Sequence, residues 1–290
     1  MRERDTYPAG VPCWLDTAQP DPKGATEFYG GLFGWSFADQ MPDGSPTSYF
    51  VATLRDLPVA GVGGQPEGTP DGPATWSHYV AVESADQAAA KAKNAGGSVI
   101  MEPFDVLDAG RMAVLADPEG ASFCVWEAKD LPGAVLVNEY GTWNFSELNT
   151  RDLDGAAQFY GAVFGWERSG FEMNGMEFSM FRMPGYGEFL EQRNPGLRDE
   201  MAEQSAPEGF EDAVTWIIPM DQNQVPADVP PHWSVTFAVE DADESAKRAG
   251  ELGGTVVAGP MDAGPTRMAI ITDPAGATFS ITRYYPSNER

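Results

Sequence analysis

The chain is poor in the residues that most often build metal and redox centres. It has two histidines, His78 and His232, and two cysteines, Cys13 and Cys124. No CxxC pair exists, and no disulfide framework can be built from two cysteines. Basic residues are scarce as well: 18 Lys and Arg stand against 44 Asp and Glu, for a net charge of −26. Nucleic acid and anionic membrane surfaces both select basic patches, so neither is an expected partner. The charge favours solubility, and it also favours a cationic ligand. No apolar run approaches the roughly 18–20 residues that span a bilayer. Met1-Arg2-Glu3-Arg4-Asp5 is followed by no apolar segment of the kind a signal peptide needs. The expectation is a soluble, cytoplasmic protein.

What the chain has is a repeat. Phe28-Tyr29-Gly30-Gly31-Leu32-Phe33-Gly34-Trp35 returns as Phe159-Tyr160-Gly161-Ala162-Val163-Phe164-Gly165-Trp166, at an offset of 131 residues. Over 21–36 against 152–167, nine of sixteen residues match without a gap. The chain therefore reads as two copies of one unit, at 10–128 and 140–286. At 290 residues each copy is large enough to bury its own core. Thirty-two Gly and 24 Pro point to many turns, and to strands more than long helices.

Residues 1–10 read as a polar tail, and 13–17 as a short strand. Asp21-Pro22 opens a helix, because Asp accepts orphan N–H bonds at the N-cap and Pro has no N–H to lose. Ala25, Phe28, Tyr29 and Leu32 recur at helical spacing, and Gly34 ends the helix. Strands follow at 35–38, 48–54 and 59–63. After a linker at 64–75 the order returns: strand 76–82, helix 84–95 closed by Gly96-Gly97, then strands 98–101, 111–116 and 121–127. The turn Asp117-Pro118-Glu119-Gly120 precedes the last of these. The first copy's two halves thus match in element order, though not in sequence. The second copy reads strand 143–149, helix 152–164, and strands 166–169, 177–183 and 213–220. Trp76-Ser77 returns as Trp233-Ser234 at an offset of 157, and Arg111-Met112-Ala113 as Arg267-Met268-Ala269 at 156. The grown offset places an insertion at 186–210. It reads as a charged helix, 188–204, interrupted at Asn194-Pro195-Gly196, and serves either as a surface excursion or as a lid.

Tandem strand-helix-three-strand units with FYxxxFGW, GG before a strand, and DPxG before a last strand resemble the glyoxalase/bleomycin-resistance family. It is also called the vicinal oxygen chelate superfamily. The resemblance spans about 10–285. Its flavour is that of two-domain actinobacterial members labelled hydroxylases in antibiotic pathways, some of which look like accessory or drug-binding proteins. It implies an α+β fold of paired βαβββ modules, each domain eight strands curled into an open half-barrel with helices outside. For the family's enzymes it implies a divalent metal in the cavity, bound by His or Gln on each module's first strand and Glu on its last. Carried over by position, these ligands fall on Trp14 and Phe145, on Cys124 and Ser280, and on Ser77 and Ser234. A catalytic zinc or iron needs about three converging N, O or S ligands, which this set does not supply. His78 is one residue out of register with Ser77 and points to the opposite face. His232 precedes its strand. No metal and no cofactor is expected, and neither is glyoxalase I or extradiol dioxygenase chemistry.

Strand alternation selects what lines the cavities instead. The first domain offers Trp14, Asp16, Ser77, Tyr79, Ser122, Cys124 and Trp126. The second offers Phe145, Glu147, Asn149, Ser234, Thr236, Thr278, Ser280 and Thr282. Both copies set a carboxylate two residues after an aromatic ring: Trp14/Asp16 and Phe145/Glu147. The ring can stack on a planar ligand while the carboxylate accepts a hydrogen bond or pairs with an ammonium group. Alternatively both carboxylates are strand-end residues satisfied by backbone N–H groups. Cys124 has no cation or His beside it and reads as a small buried hydrophobe. Trp76, Trp233 and the Phe-Tyr pairs read as core, and Arg111 and Arg267 as structural partners of Asp105 and Asp262.

Two functions stay open. One is a metal-free binding protein for sequestration, resistance or carriage of a small aromatic metabolite or antibiotic, cationic or neutral. The other is a metal-independent tailoring enzyme, a lyase, isomerase or hydroxylase-associated protein, with Asp16 or Glu147 as catalytic acid/base. A monomer and a homodimer are equally compatible with the sequence.

Overall fold

Asp21 Oδ1 accepts the Gly24 N–H at 3.0 Å, and Asp152 Oδ1 accepts the Gly155 N–H at 2.9 Å. Each bond satisfies an orphan donor and starts a helix. Gly34 and Gly165 end those helices at φ 75° and 77°, in the left-handed region that glycine enters without a Cβ penalty. The computed structural model describes residues 4–65, 72–173, 176–203, 206–221, 223 and 225–285, without the side chains of 172–177.

The first module is β1 (Pro12–Gln19), α1 (Pro22–Phe33), β2 (Ser36–Asp39), β3 (Tyr49–Leu54) and β4 (Leu57–Gly64). The second is β5 (Thr75–Ala81), α2 (Ala85–Asn94), β6 (Ser98–Val106), β7 (Gly110–Ala116) and β8 (Ser122–Ala128). The third is β9 (Thr142–Thr150), α3 (Leu153–Phe164), β10 (Glu167–Met173), β11 (Met176–Arg182) and β12 (Ala213–Pro219), with α4 (Tyr186–Arg193) and α5 (Leu197–Glu203) between the last two strands. The fourth is β13 (His232–Ala238), α6 (Ala242–Glu251), β14 (Thr255–Ala263), β15 (Thr266–Thr272) and β16 (Thr278–Tyr284). β6 runs beyond the expected 98–101. It is an edge strand, so Pro103 costs no ladder bond there, and two register shifts carry its pairing with β7 onward.

Each domain is one eight-stranded sheet, ordered β2-β3-β4-β1-β5-β8-β7-β6 and β10-β11-β12-β9-β13-β16-β15-β14. These are the tandem α+β half-barrels. The first strands of paired modules lie antiparallel at the centre, each flanked by the parallel last strand of its own module. This register sets Asp16 beside Ser77 and Gly61, and Glu147 beside Ser234 and Trp216.

The expectation of one core per domain is corrected: the cores are shared. Phe28 and Phe33 of α1 lie 6.4 Å from Phe279 and 5.0 Å from Phe237 of the other domain. Tyr160 of α3 lies 5.6 Å from Phe123. A half-barrel keeps its inner face for a cavity, so its apolar outer face needs a cover, and each domain supplies the other's. Phe123, Phe159, Phe237 and Phe279 are fully buried in this layer, each burial stabilising by about 1.5–3 kcal/mol. Trp35 and Trp166 complete it by donating to the carbonyls of Gly141 and Gly10, at 2.7 and 2.6 Å.

His78 lies in the same layer, as alternation requires. Its ring stacks on Trp233 at 4.4 Å and its Nδ1 meets Ser146 Oγ at 2.8 Å. Trp76 and Trp233 are buried, and Arg111 and Arg267 reach Asp105 and Asp262 at 3.3 and 3.4 Å.

One further expectation changes. The N-terminal segment is tied down from Arg4 on, which donates to Tyr186 Oη, while the Tyr7 hydroxyl donates to the Ala134 carbonyl. The insertion breaks at Asn194-Pro195-Gly196 as expected, between α4 and α5, and adds a turn of 3-10 helix, Phe210–Asp212. The expected helix end at Gln204 lies outside the described residues, as does most of the linker, 66–71. Among the described residues, no helix is long and apolar enough to cross a membrane.

Candidate functional site

The two inner faces share a plan and differ in what fills them. In the first domain the Asp16 carboxylate accepts from the hydroxyls of Tyr79 at 2.7 Å and Tyr49 at 3.1 Å. Burial raises its pKa, and bonds from Tyr79, Tyr49 and Ser77 oppose that shift. The Trp14 indole donates to Tyr49 Oη at 3.0 Å, closing the network. Gly61 makes room for it: a Cβ there would stand 2.2 Å from Tyr49 Oη. Trp126 donates to the Leu131 carbonyl at 2.8 Å and lies over Gly110. Trp14, Tyr79, Cys124 and Trp126 are all buried, and burial pushes the Cys124 thiol pKa up, which leaves it protonated. Much of this face is filled, while Asp16, Tyr49 and Ser77 stay partly accessible. A gap of about 140 Å³ lies where this sheet meets the second domain, lined by Ser77, Ser122 and Cys124 and by Trp76, Phe123, His232 and Trp233.

In the second domain Trp216 takes the place of Gly61, because β12 pairs with β9 as β4 pairs with β1. Four further rings gather around it: Phe145 at 5.6 Å, Phe171 at 5.7 Å, Phe210 at 5.8 Å and Phe178 at 6.2 Å. All five are partly accessible. Phe210 comes from the insertion, which thereby reaches the inner face. Behind it, a cradle of about 210 Å³ opens between α5 and the 3-10 turn, lined by Arg198, Met201 and Pro207 among others.

Glu147 lies at the base of this cluster. Thr236 Oγ1 donates to its Oε1 at 2.5 Å and Ser234 Oγ to its Oε2 at 3.1 Å, and Asn149 Nδ2 donates to Ser234 Oγ at 2.9 Å. Burial pushes its pKa up to about 7, against the pull of the two hydroxyls. Both carboxylates are held by side-chain hydroxyls, so the backbone-satisfied alternative does not describe them.

Of the positions implied for a metal, Trp14 and Cys124 share one row across the sheet with Tyr79 between them, and Phe145 and Ser280 share the other with Thr236 between them. Ser77 and Ser234 fall in the adjacent rows, beside the carboxylates. Among the described residues, no three His, Cys, Asp or Glu side chains gather to hold a metal ion. The donor sets present do not fit the divalent ion of the family's enzymes.

Tyr49, Phe171, Phe178, Phe210 and Trp216 are absent from the set expected from sequence. Each reaches the inner face through strand pairing or the insertion fold. Gly61-Val62-Gly63 was the available signal, since small residues on a central strand announce a neighbour's side chain in their place.

This architecture is that of a family. The Glyoxalase/Bleomycin resistance protein/Dioxygenase superfamily matches residues 14–125 and 142–281, and the chain belongs to it. Among individual proteins, it is 36% identical to CFP32 of Mycobacterium tuberculosis, which carries a provisional glyoxylase name, over 99% of both chains. It is 34% identical to the anthracycline biosynthesis protein DnrV of Streptomyces peucetius, over 95% of this chain and 94% of that one. Of solved structures, the Mn(II)-bound glyoxalase from Novosphingobium aromaticivorans superposes with a TM-score of 0.57 at 13% identity, over 97% of this chain and 86% of that one. The 2,3-dioxygenase LapB from Pseudomonas sp. KL28 gives 0.58 at 11%, over 96% and 94%. At these identities the structural likeness concerns the fold alone.

Proposed function

We propose that the protein binds a small aromatic metabolite, without a metal, on the inner face of its second domain. The observation that carries this reading is the partly accessible group Phe145, Phe210 and Trp216 set over Glu147. Aromatic rings left in contact with water on a concave face gain when a planar ligand stacks on them. The carboxylate then orients the ligand. The packed first domain serves as a scaffold in this reading. The name of the Streptomyces peucetius relative makes an antibiotic-pathway compound a fitting ligand. Calorimetric titration against a panel of polycyclic aromatic compounds, in EDTA, tests it. Saturable binding that weakens at least tenfold in Trp216→Leu is expected. No binding across the panel, or binding that requires an added metal, refutes it.

One observation favours a second reading, a metal-independent acid/base reaction. A carboxyl group titrating near 7 can both accept and return a proton at neutral pH. Turnover of a panel compound in EDTA, lost in Glu147→Gln, would establish it. Turnover unchanged in that variant would end it.

A further inference from the structure

Among the described residues, Glu147 has no counter-charge. The influences on it are burial and the hydroxyls of Thr236 and Ser234, none of them charged. The domain's described basic side chains face other groups, although Arg182 Nε is buried without a hydrogen-bond partner. Arg151 donates to the carbonyls of Met220, Pro226 and Val229, Arg182 faces Glu167 at 4.0 Å, and Arg267 pairs with Asp243 and Asp262. On the insertion, Glu211 faces Arg198 at 3.7 Å and Asp212 accepts the Gly187 N–H. Asp16, its counterpart, has three hydroxyl partners where Glu147 has two.

This imbalance bears on what a ligand must carry. Each Glu147 oxygen accepts one hydroxyl and keeps lone-pair capacity for another donor. A neutral planar ligand would strip the remaining water from this carboxylate and return nothing, a costly desolvation. A cation would offset that loss, and the surrounding rings favour it too, since the ring quadrupole attracts positive charge. The net charge of −26 adds long-range attraction of the same sign.

Building on the aromatic-site reading, we propose that the ligand is recognised through an organic ammonium group seated between Glu147 and the rings of Trp216 and Phe145. The ligand class is then an aromatic amine or quaternary ammonium compound. Because Glu147 titrates at about 7, the cation selects the ionised form and binding expels a proton when pH is below that value.

The test uses the full chain and two probes of similar shape, (2-naphthylmethyl)trimethylammonium and 2-naphthalenemethanol, in calorimetric titrations at pH 6, 7 and 8. The cation is expected to bind at least tenfold tighter at pH 8. Its affinity should fall about tenfold per pH unit once pH is below the Glu147 value, while the alcohol's stays flat. Titration in buffers of different ionisation enthalpy should report proton release at pH 6. Glu147→Gln, which keeps the side-chain volume, should abolish the preference and its pH dependence. Equal affinity for both probes, or a preference retained in Glu147→Gln, overturns the ammonium assignment and leaves the aromatic site standing. Failure of both probes to bind defeats the site together with the assignment. The wild-type pH profile and proton count decide the matter even if the variant does not fold.

Discussion

The Tyr160 hydroxyl donates to Asp117 Oδ2 at 3.0 Å, joining the FYxxxFGW helix of the second domain to the DPxG turn of the first. Tyr29 and Asp273 make the reciprocal bond at 2.9 Å. The two recurring motifs are halves of one interlock. Each Asp also accepts its own turn through the N–H of Ala121 or Ala277.

The two copies of the interlock differ in their further partners. Asp273 Oδ2 also accepts Gln19 Nε2 at 2.7 Å, whereas Tyr160 additionally accepts the Trp233 indole N–H at 3.1 Å. Tyr160→Phe therefore leaves a buried carboxylate and an indole donor short of partners, and Tyr29→Phe leaves Asp273 with its glutamine. We expect a loss of about 2–3 kcal/mol for Tyr160→Phe and about 1 kcal/mol for Tyr29→Phe, measured by urea unfolding. Equal losses would contradict this ranking.

His78 gives the domain interface an acid limit. Burial depresses its pKa to about 3, below the unfolded value of about 6.5. A depressed folded pKa gives stability that is full above the unfolded value and is lost as pH falls towards the folded one. Wild type should therefore lose about 1.4 kcal/mol per pH unit, relative to His78→Gln, between pH 6 and 4. Urea midpoints of the pair at pH 7 and 4.5 check this. Parallel pH profiles would remove His78 from the account.

Glu147 acts with the opposite sign. Its folded pKa of about 7 lies above its ordinary value, so its contribution is full below about 4.5 and is lost as pH rises through 7. Glu147→Gln should be more stable than wild type at pH 8, by up to about 3 kcal/mol, and the difference should vanish near pH 4. Thermal unfolding of both proteins across that range measures it.

The two inner faces can be told apart by paired variants. Phe210→Ala removes a ring from the ligand face at little cost to the core, so ligand affinity should fall about tenfold with stability nearly unchanged. Tyr79→Phe takes a hydroxyl from Asp16, which should cost about 1–3 kcal/mol of stability and leave affinity intact. Calorimetry with denaturation curves reads both effects, and the reverse pattern would move the site to the first domain.

Much of the fold was legible because its signals are local. Asp21 and Asp152 cap helices whose ends Gly34 and Gly165 mark, and alternation along β1 and β9 placed Trp14, Asp16, Phe145 and Glu147 on one face. Alternation also turned His78 away from the cavity. The aromatic cluster was not legible. Trp216 and Phe171 lie many residues from Glu147 in the chain, and the parallel pairing of β12 with β9 and the path of the insertion bring them together.

The sequence by itself determined the duplication, the module order and the scarcity of histidine and cysteine, since these follow from repeat spacing, period and composition. Only the tertiary structure decided that the two domains share their cores, and that Asp16 is held by two tyrosine hydroxyls and a serine while Glu147 has two hydroxyl partners beside Trp216. Those outcomes rest on which distant side chains fill a common volume: Tyr49 beside Gly61 in one half-barrel, Trp216 in that place in the other.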